Sequence, residues 1–148
     1  MVDVTTSIEI ARPLSEVAGY CADPSNATEW YANIKKVHWR TAPTVEVGAR
    51  VAFTAEFLRR TLEYEYEIVE FEPLVRLVMR TTEGPFPMQT TYEWTAVSPT
   101  VTRVTLNNAG EPLGFSRLVA PMMTAAMRRA NTKDLQALKR IVESRYPE

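Results

Sequence analysis

The chain has 148 residues, 45% hydrophobic and 24% charged, enough for one domain with its own core and too few for two. With 17 basic and 18 acidic side chains the net charge is -1, which excludes a global electrostatic pull toward nucleic acid. A single cysteine, Cys21, excludes an internal disulfide, and no apolar run nears the roughly 18 residues that span a bilayer.

The opening MVDVTTSIEI lacks the charged and apolar regions of a signal peptide, so a cytoplasmic protein without an integral membrane segment is expected. Val2 to Ile10 reads as a first strand. Pro13 suits the first turn of a helix, where its missing N–H costs nothing, and LSEVAGYC continues that helix. Asp23-Pro24 ends it, and Asp23 can cap a second short helix over PSNATEWYAN. From Ile34 to about Pro112 the chain is strand after strand, with turn signals at Ala42-Pro43, Glu72-Pro73, Gly84-Pro85 and Ser98-Pro99. From about Phe115 to Tyr146 a helical pattern runs to the end. Pro121 interrupts it and predicts a kink or a break between a lead helix and the main one. The order predicts one α+β domain over residues 1–148: strand, two short helices, about six further strands, long helix.

The stretch LEYEYEIVEFE, Leu62 to Glu72, alternates acid and apolar residues, so Glu63, Glu65 and Glu67 face one way and Tyr64, Tyr66 and Ile68 the other. A turn at Arg59-Arg60 would pair Phe57 with Leu62, Ala55 with Tyr64, Phe53 with Tyr66 and Val51 with Ile68, and would set Glu56 against Glu63. A four-residue turn at Glu72 to Val75 places Arg80 opposite Glu67. A loop at Ser98-Pro99-Thr100 pairs Trp94 with Val104, Tyr92 with Leu106 and Thr90 with Asn108.

Those registers give the sheet a charged outer face. Its inner face carries Phe53, Phe57, Tyr64, Tyr66, Met79, Thr81 and Met88, then Thr90, Tyr92, Trp94, Leu106 and Asn108. The only element long enough to cover that face is the last helix, roughly 45 Å at about 1.5 Å per residue. A buried hydroxyl or amide without a partner costs about 1–3 kcal/mol. The inner polar groups therefore either pair with one another or line a cavity. Met122, Met123 and Met127 would give that cavity an adaptable lid, and Glu83-Gly84-Pro85-Phe86-Pro87 a stiff rim.

His38, the only histidine, shares strand parity with Lys36 and Arg40 and reads as a surface residue, so no histidine-based triad is expected. One histidine and one cysteine supply no metal-ligand spacing, and no metal is expected. Gly19, Gly48, Gly84, Gly110 and Gly114 form neither a phosphate loop nor a dinucleotide fingerprint, so no cofactor is expected. Cys21, four residues after Val17 in the first helix, reads as a small buried hydrophobe. Glu70 turns inward if alternation is strict, where it could act as a general base, and outward if Val69 is a bulge. Arg117, Arg128, Arg129, Lys133, Lys139, Arg140 and Arg145 give the last helix a basic, solvated face.

Taken together, ARPLSEVAGYCADPSNATEWYANI (Ala11 to Ile34), VGARVAFTAEF (Val47 to Phe57), the tyrosine strand with its EFEP end, TTYEW (Thr90 to Trp94) and KDLQALKRIVE (Lys133 to Glu143) resemble the START-like, or SRPBCC, superfamily. The likeness is to its polyketide cyclase/dehydrase-like branch and covers essentially the whole chain. It implies the helix-grip fold: a curved seven-stranded antiparallel sheet wrapped around a long C-terminal helix, two short helices between strands 1 and 2, and a hydrophobic cavity inside.

Three functions fit that expectation. The first is a carrier or sensor of a hydrophobic aromatic, polyketide or lipid-like molecule, acting as monomer or homodimer and without nucleic acid. Its apolar walls would come from Trp30, Phe53, Phe57, Met79, Met88, Trp94, Met122 and Met123. Orienting hydrogen bonds would come from Tyr64, Tyr66, Thr90, Tyr92 and Asn108. The second is a cyclase/dehydrase-type enzyme using Tyr64, Tyr92 or Glu70. The resemblance implies an arginine deep in the pocket of such enzymes, whereas the registers turn Arg80 and Arg103 outward. The third is an interaction protein of the quinone-chaperone or antitoxin type.

Overall fold

The computed structural model describes residues 2–57, 59–84, 87–111 and 120–145, apart from the side chains of Phe57 and Ala120. Strand β1 (Val2–Ile10) is followed by helix α1 (Leu14–Cys21), a 3-10 turn (Pro24–Asn26) and the short α2 (Ala27–Trp30). Six strands follow: β2 (Ile34–Trp39), β3 (Arg50–Phe57), β4 (Arg60–Glu72), β5 (Arg76–Glu83), β6 (Met88–Ser98) and β7 (Val101–Gly110). Helix α3 (Ala120–Arg145) comes last. Pro13 sits in extended backbone at the N-cap of α1. Asp23 caps the 3-10 turn, its carboxylate accepting the Ser25 N–H at 2.9 Å. The helical run that starts there ends at Trp30, earlier than the sequence pattern indicates.

The strands make one sheet in the order β1-β7-β6-β5-β4-β3-β2, every neighbouring pair antiparallel. The first and last strands pair, which brings α3, entering after β7, back across β1. At 26 residues, α3 is about 39 Å long. Its second half drives Leu135, Leu138 and Val142 into a core with Ile10, Ile68 and Leu106, all of them fully buried. The architecture is the α+β helix grip, a curled seven-stranded sheet around a long C-terminal helix with two short helices between the first two strands. Pro121 occupies the first turn of α3, where a missing N–H is harmless. A lead helix before it, with Arg117, lies outside the described residues, as do Pro85 and Phe86 of the expected rim.

Two hairpins refine the expected registers. Trp94 pairs with Val104, Tyr92 with Leu106 and Thr90 with Asn108, as the sequence indicates. Between β3 and β4, however, Phe53 pairs with Tyr64, Val51 with Tyr66 and Phe57 with Arg60. The turn therefore comes one residue early, with Arg59 in the left-handed region at φ 65°. A two-residue slip keeps every side chain on its face, so the hydrophobic pattern cannot detect it. The slip also removes a like-charge clash: Glu56 faces Thr61, and Glu63 faces Thr54.

Arg80 does stand opposite Glu67, by an unexpected route. Glu72 pairs directly with Arg76, which shortens the turn to three residues with Leu74 at φ 67°. A bulge at Val69 then restores the register. That bulge also decides Glu70, whose side chain is 54% exposed and pairs with Arg76 at 3.5 Å. Glu70 is thus on the outer face and cannot serve as a cavity base.

Candidate functional site

A cavity of about 180 Å³ lies between the inner face of the sheet and the first half of α3. Helical spacing builds its roof. Met123, Met127, then Ala130 and Asn131, then Asp134 follow at intervals of three or four and share one face. Strand alternation builds the opposite wall. Phe53 comes from β3, Tyr64 and Tyr66 from β4 and Met79 from β5. Met88, Thr90 and Tyr92 on β6 and Asn108 on β7 continue it. The α1–α2 segment closes one side with Cys21, Ala27, Trp30 and Tyr31.

The rings pack mostly at steep angles. Phe53 and Tyr66 meet edge to face at 5.7 Å, and Tyr64 and Tyr66 lie tilted at 6.1 Å. Trp30 packs on Tyr31 with ring centres 4.0 Å apart.

Most residues expected at the site therefore border one space, and three do not. Trp94 is buried beneath Tyr92, stacked on it within 6° of parallel at 6.3 Å, and belongs to the core. Met122 is 72% exposed, since one step along a helix turns a side chain about 100° from Met123. Glu70 faces water. The Phe57 side chain lies outside the described residues.

Two polar devices answer where the inner hydroxyls and amides go. Thr90 Oγ1 donates to Asn108 Oδ1 at 2.7 Å, and Asn108 Nδ2 donates to Asn131 Oδ1 at 3.0 Å, a chain from β6 through β7 to α3. The Tyr31 and Tyr92 hydroxyls hydrogen-bond to each other and join the end of α2 to β6. Pairing and cavity lining thus coexist. Burial pushes the hydroxyls of Tyr31, Tyr66 and Tyr92 well above the ordinary tyrosine range, so they stay neutral phenols.

Sequence reasoning missed Tyr31, Asn131 and Asp134. Asp134 is 3% exposed and accepts the Ala32 N–H on Oδ1 at 3.0 Å. Burial raises its carboxyl to about 6, against the pull of that hydrogen bond. Its signal was legible as a polar break in the stripe Met123, Met127, Ala130, Asn131, Asp134. In a helix dense with charge, it read as one more surface residue.

The arrangement narrows the chemistry available. Burial pushes the Cys21 thiol up to about 12, so it is no nucleophile at neutral pH. His38 is exposed on β2, away from the cavity. No group of three or more potential metal ligands occurs among the described residues. Arg80 and Arg103 are exposed on the outer side. Among the described lining residues the only ones carrying formal charge are Asp23, at the 3-10 cap, and Asp134; none is cationic. No helix among the described residues is long and apolar enough to cross a membrane.

Residues 1–143 match the family model described as polyketide cyclase/dehydrase and lipid transport. No curated protein sequence matches significantly. Several solved structures superpose well. A protein from Thermus thermophilus shares 18% identity at TM-score 0.84, covering 98% of this chain and 99% of its own. A START superfamily protein from Mycobacterium smegmatis shares 14% at 0.82, over 97% and 99%. An aromatase/cyclase, Zhui, from a Streptomyces species shares 17% at 0.82, over 97% and 94%. At such identities the likeness is one of fold.

Proposed function

Because the chain belongs to the polyketide cyclase/dehydrase and lipid transport family, a family of ligand-binding START-type domains, we propose that it is a carrier or sensor whose cavity holds a hydrophobic, ring-bearing small molecule. The observation that carries this reading is the cavity wall itself, rings and methionine side chains around a few fixed polar groups with, among the described residues, no reactive nucleophile. Trp30, Phe53, Tyr64, Tyr66, Met79, Met88 and Met123 supply contact area. The Tyr31–Tyr92 pair and Asn108 offer hydrogen bonds that set orientation. Burying a few hundred Å² of ring surface at about 25 cal/mol per Å² yields several kcal/mol before ordering costs, enough for roughly micromolar binding.

Native mass spectrometry of the protein as purified, set against its denatured mass, tests the reading. A discrete mass released on denaturation supports a carrier and gives the ligand's formula. Protein that stays bare, and takes up no ring compound when offered a panel, removes the carrier reading.

One observation favours a second reading, a cyclase-type enzyme. Asp134 is a buried carboxylate bordering the cavity, and burial raises it to about 6, toward the range of a general base. On that reading Asp134→Asn abolishes turnover of a reactive polyketide mimic while its binding survives.

A further inference from the structure

We infer that the ligand of this cavity carries a protonated amine, held against the Asp134 carboxylate and the neighbouring aromatic rings. The inference rests on the proposed binding role and names the ligand's polar end.

The argument begins with charge balance. Of the described residues bordering the cavity, Asp23 and Asp134 carry formal charge, both negative, and no lysine, arginine or histidine joins them. A ligand with a carboxylate or phosphate would enter a space holding two like charges and, among the described residues, no counter-ion. Fatty acids and phospholipid headgroups are disfavoured on that ground alone.

Asp134 needs a partner. It is 3% exposed, and among the described residues its one hydrogen bond is from the Ala32 amide, to Oδ1. Buried carboxylates ordinarily pair with a cation or collect several donors, because lost hydration is expensive. The described side chains on the cavity side do not supply this. Thr90, Asn108 and Asn131 are tied to one another, and the Tyr31 and Tyr92 hydroxyls are joined. Oδ2 accepts no hydrogen bond from the described residues, and Asp134 borders both the cavity and a shallow groove behind it.

The neighbours suit a cation. Trp30, Tyr31 and Tyr92 border the same cavity as Asp134. Trp30 packs on Tyr31 at 4.0 Å and meets Tyr92 edge-on at 6.1 Å. Electron-rich ring faces next to a carboxylate attract an ammonium, and arrangements of this kind recognise alkylammonium groups. The rest of the cavity, from Phe53 and Tyr66 to Met79 and Met127, takes the apolar body of the molecule. The ligand class is therefore an amphiphilic amine with one or two rings.

The test uses three matched probes, tryptamine, tryptophol and 3-ethylindole, titrated calorimetrically into the full chain at pH 7.5. Tryptamine is expected to bind at least tenfold more tightly than either neutral probe. In Asp134→Asn that advantage falls to less than threefold. A second readout needs no variant: in the unaltered protein the tryptamine advantage shrinks as pH falls from 7.5 to 5 and Asp134 takes up a proton. The groups facing Asp134 are Tyr31 and Tyr92 in the cavity, with Glu29, Lys35, Lys133 and Arg140 around a shallow groove on its other side. If 3-ethylindole or tryptophol binds as well as tryptamine, the amine inference falls and the binding role stands. An advantage that survives Asp134→Asn and pH 5 likewise overturns it. If none of the three binds, the ring-binding role and the inference fall together.

Discussion

Tyr31 and Tyr92 meet hydroxyl to hydroxyl, so the last turn of α2 is fastened to β6 across the side of the cavity. Tyr92 is buried and Tyr31 half-buried, and each hydroxyl is the other's solution to a lost water contact. Tyr92→Phe strands the Tyr31 hydroxyl and is expected to cost about 1–3 kcal/mol. Tyr31→Phe strands the other by a similar amount. The double variant leaves no orphan and should cost clearly less than the sum, a coupling of about 1 kcal/mol in a urea-denaturation cycle. Additive costs would show that the hydroxyls do not depend on one another.

Gly84 approaches the Tyr64 ring so closely that a Cβ added there would lie 2.6 Å from Tyr64 Cδ1. Gly84→Ala must push the ring toward the cavity or the strand end away from it. The expected result is a loss of about 1–3 kcal/mol, by analogy with overpacking, together with weaker uptake of ring compounds. Gly19→Ala, where nothing lies within 4 Å of the added atom, is the control and leaves binding unchanged.

The tyrosine wall was legible because strand alternation is a rigid rule: Tyr64 and Tyr66 share parity with Phe53 whichever two-residue register is chosen. The β6–β7 register was legible for the same reason. Glu70 was not, because a single bulged residue, Val69, reverses parity and hydrophobicity alone does not mark it. Tyr31 escaped because α2 ends at Trp30, and the residue after a short helix has no periodicity to place it. Asp134 escaped because its place in the stripe after Met127, Ala130 and Asn131 is masked by a helix dense with charge, where an acid next to Lys133 reads as surface.

Asn108 sits in the middle of the hydrogen-bonded chain from Thr90 to Asn131. Replacing it by the similarly sized Leu removes both bonds and leaves Thr90 and Asn131 in an apolar setting. A loss of about 2–3 kcal/mol is expected by chemical denaturation. Thr90→Val breaks one link at the end of the chain and should cost about 1 kcal/mol. Equal losses would mean that Asn108 packs rather than connects.

Asp134 gives the fold a pH dependence whose direction is fixed by the sign of its shift. Burial raises its carboxyl from an ordinary 3.8 to about 6. Between those values the folded chain holds a proton that the unfolded chain has released. Its contribution to stability is therefore greatest below about pH 4, declines as pH rises through 6, and is a constant penalty above that. A shift of this size corresponds to a penalty of up to about 3 kcal/mol at pH 8. Asp134→Asn keeps an oxygen for the Ala32 N–H and removes the charge. The variant should be more stable than the parent at pH 8, and the difference should vanish as pH falls toward 4. The check is a pair of urea midpoints at several pH values without ligand. An amine that binds Asp134 should raise the parent's midpoint at pH 8 more than the variant's. A gap between parent and variant that does not change with pH would assign the stabilisation to packing and not to the carboxylate's charge.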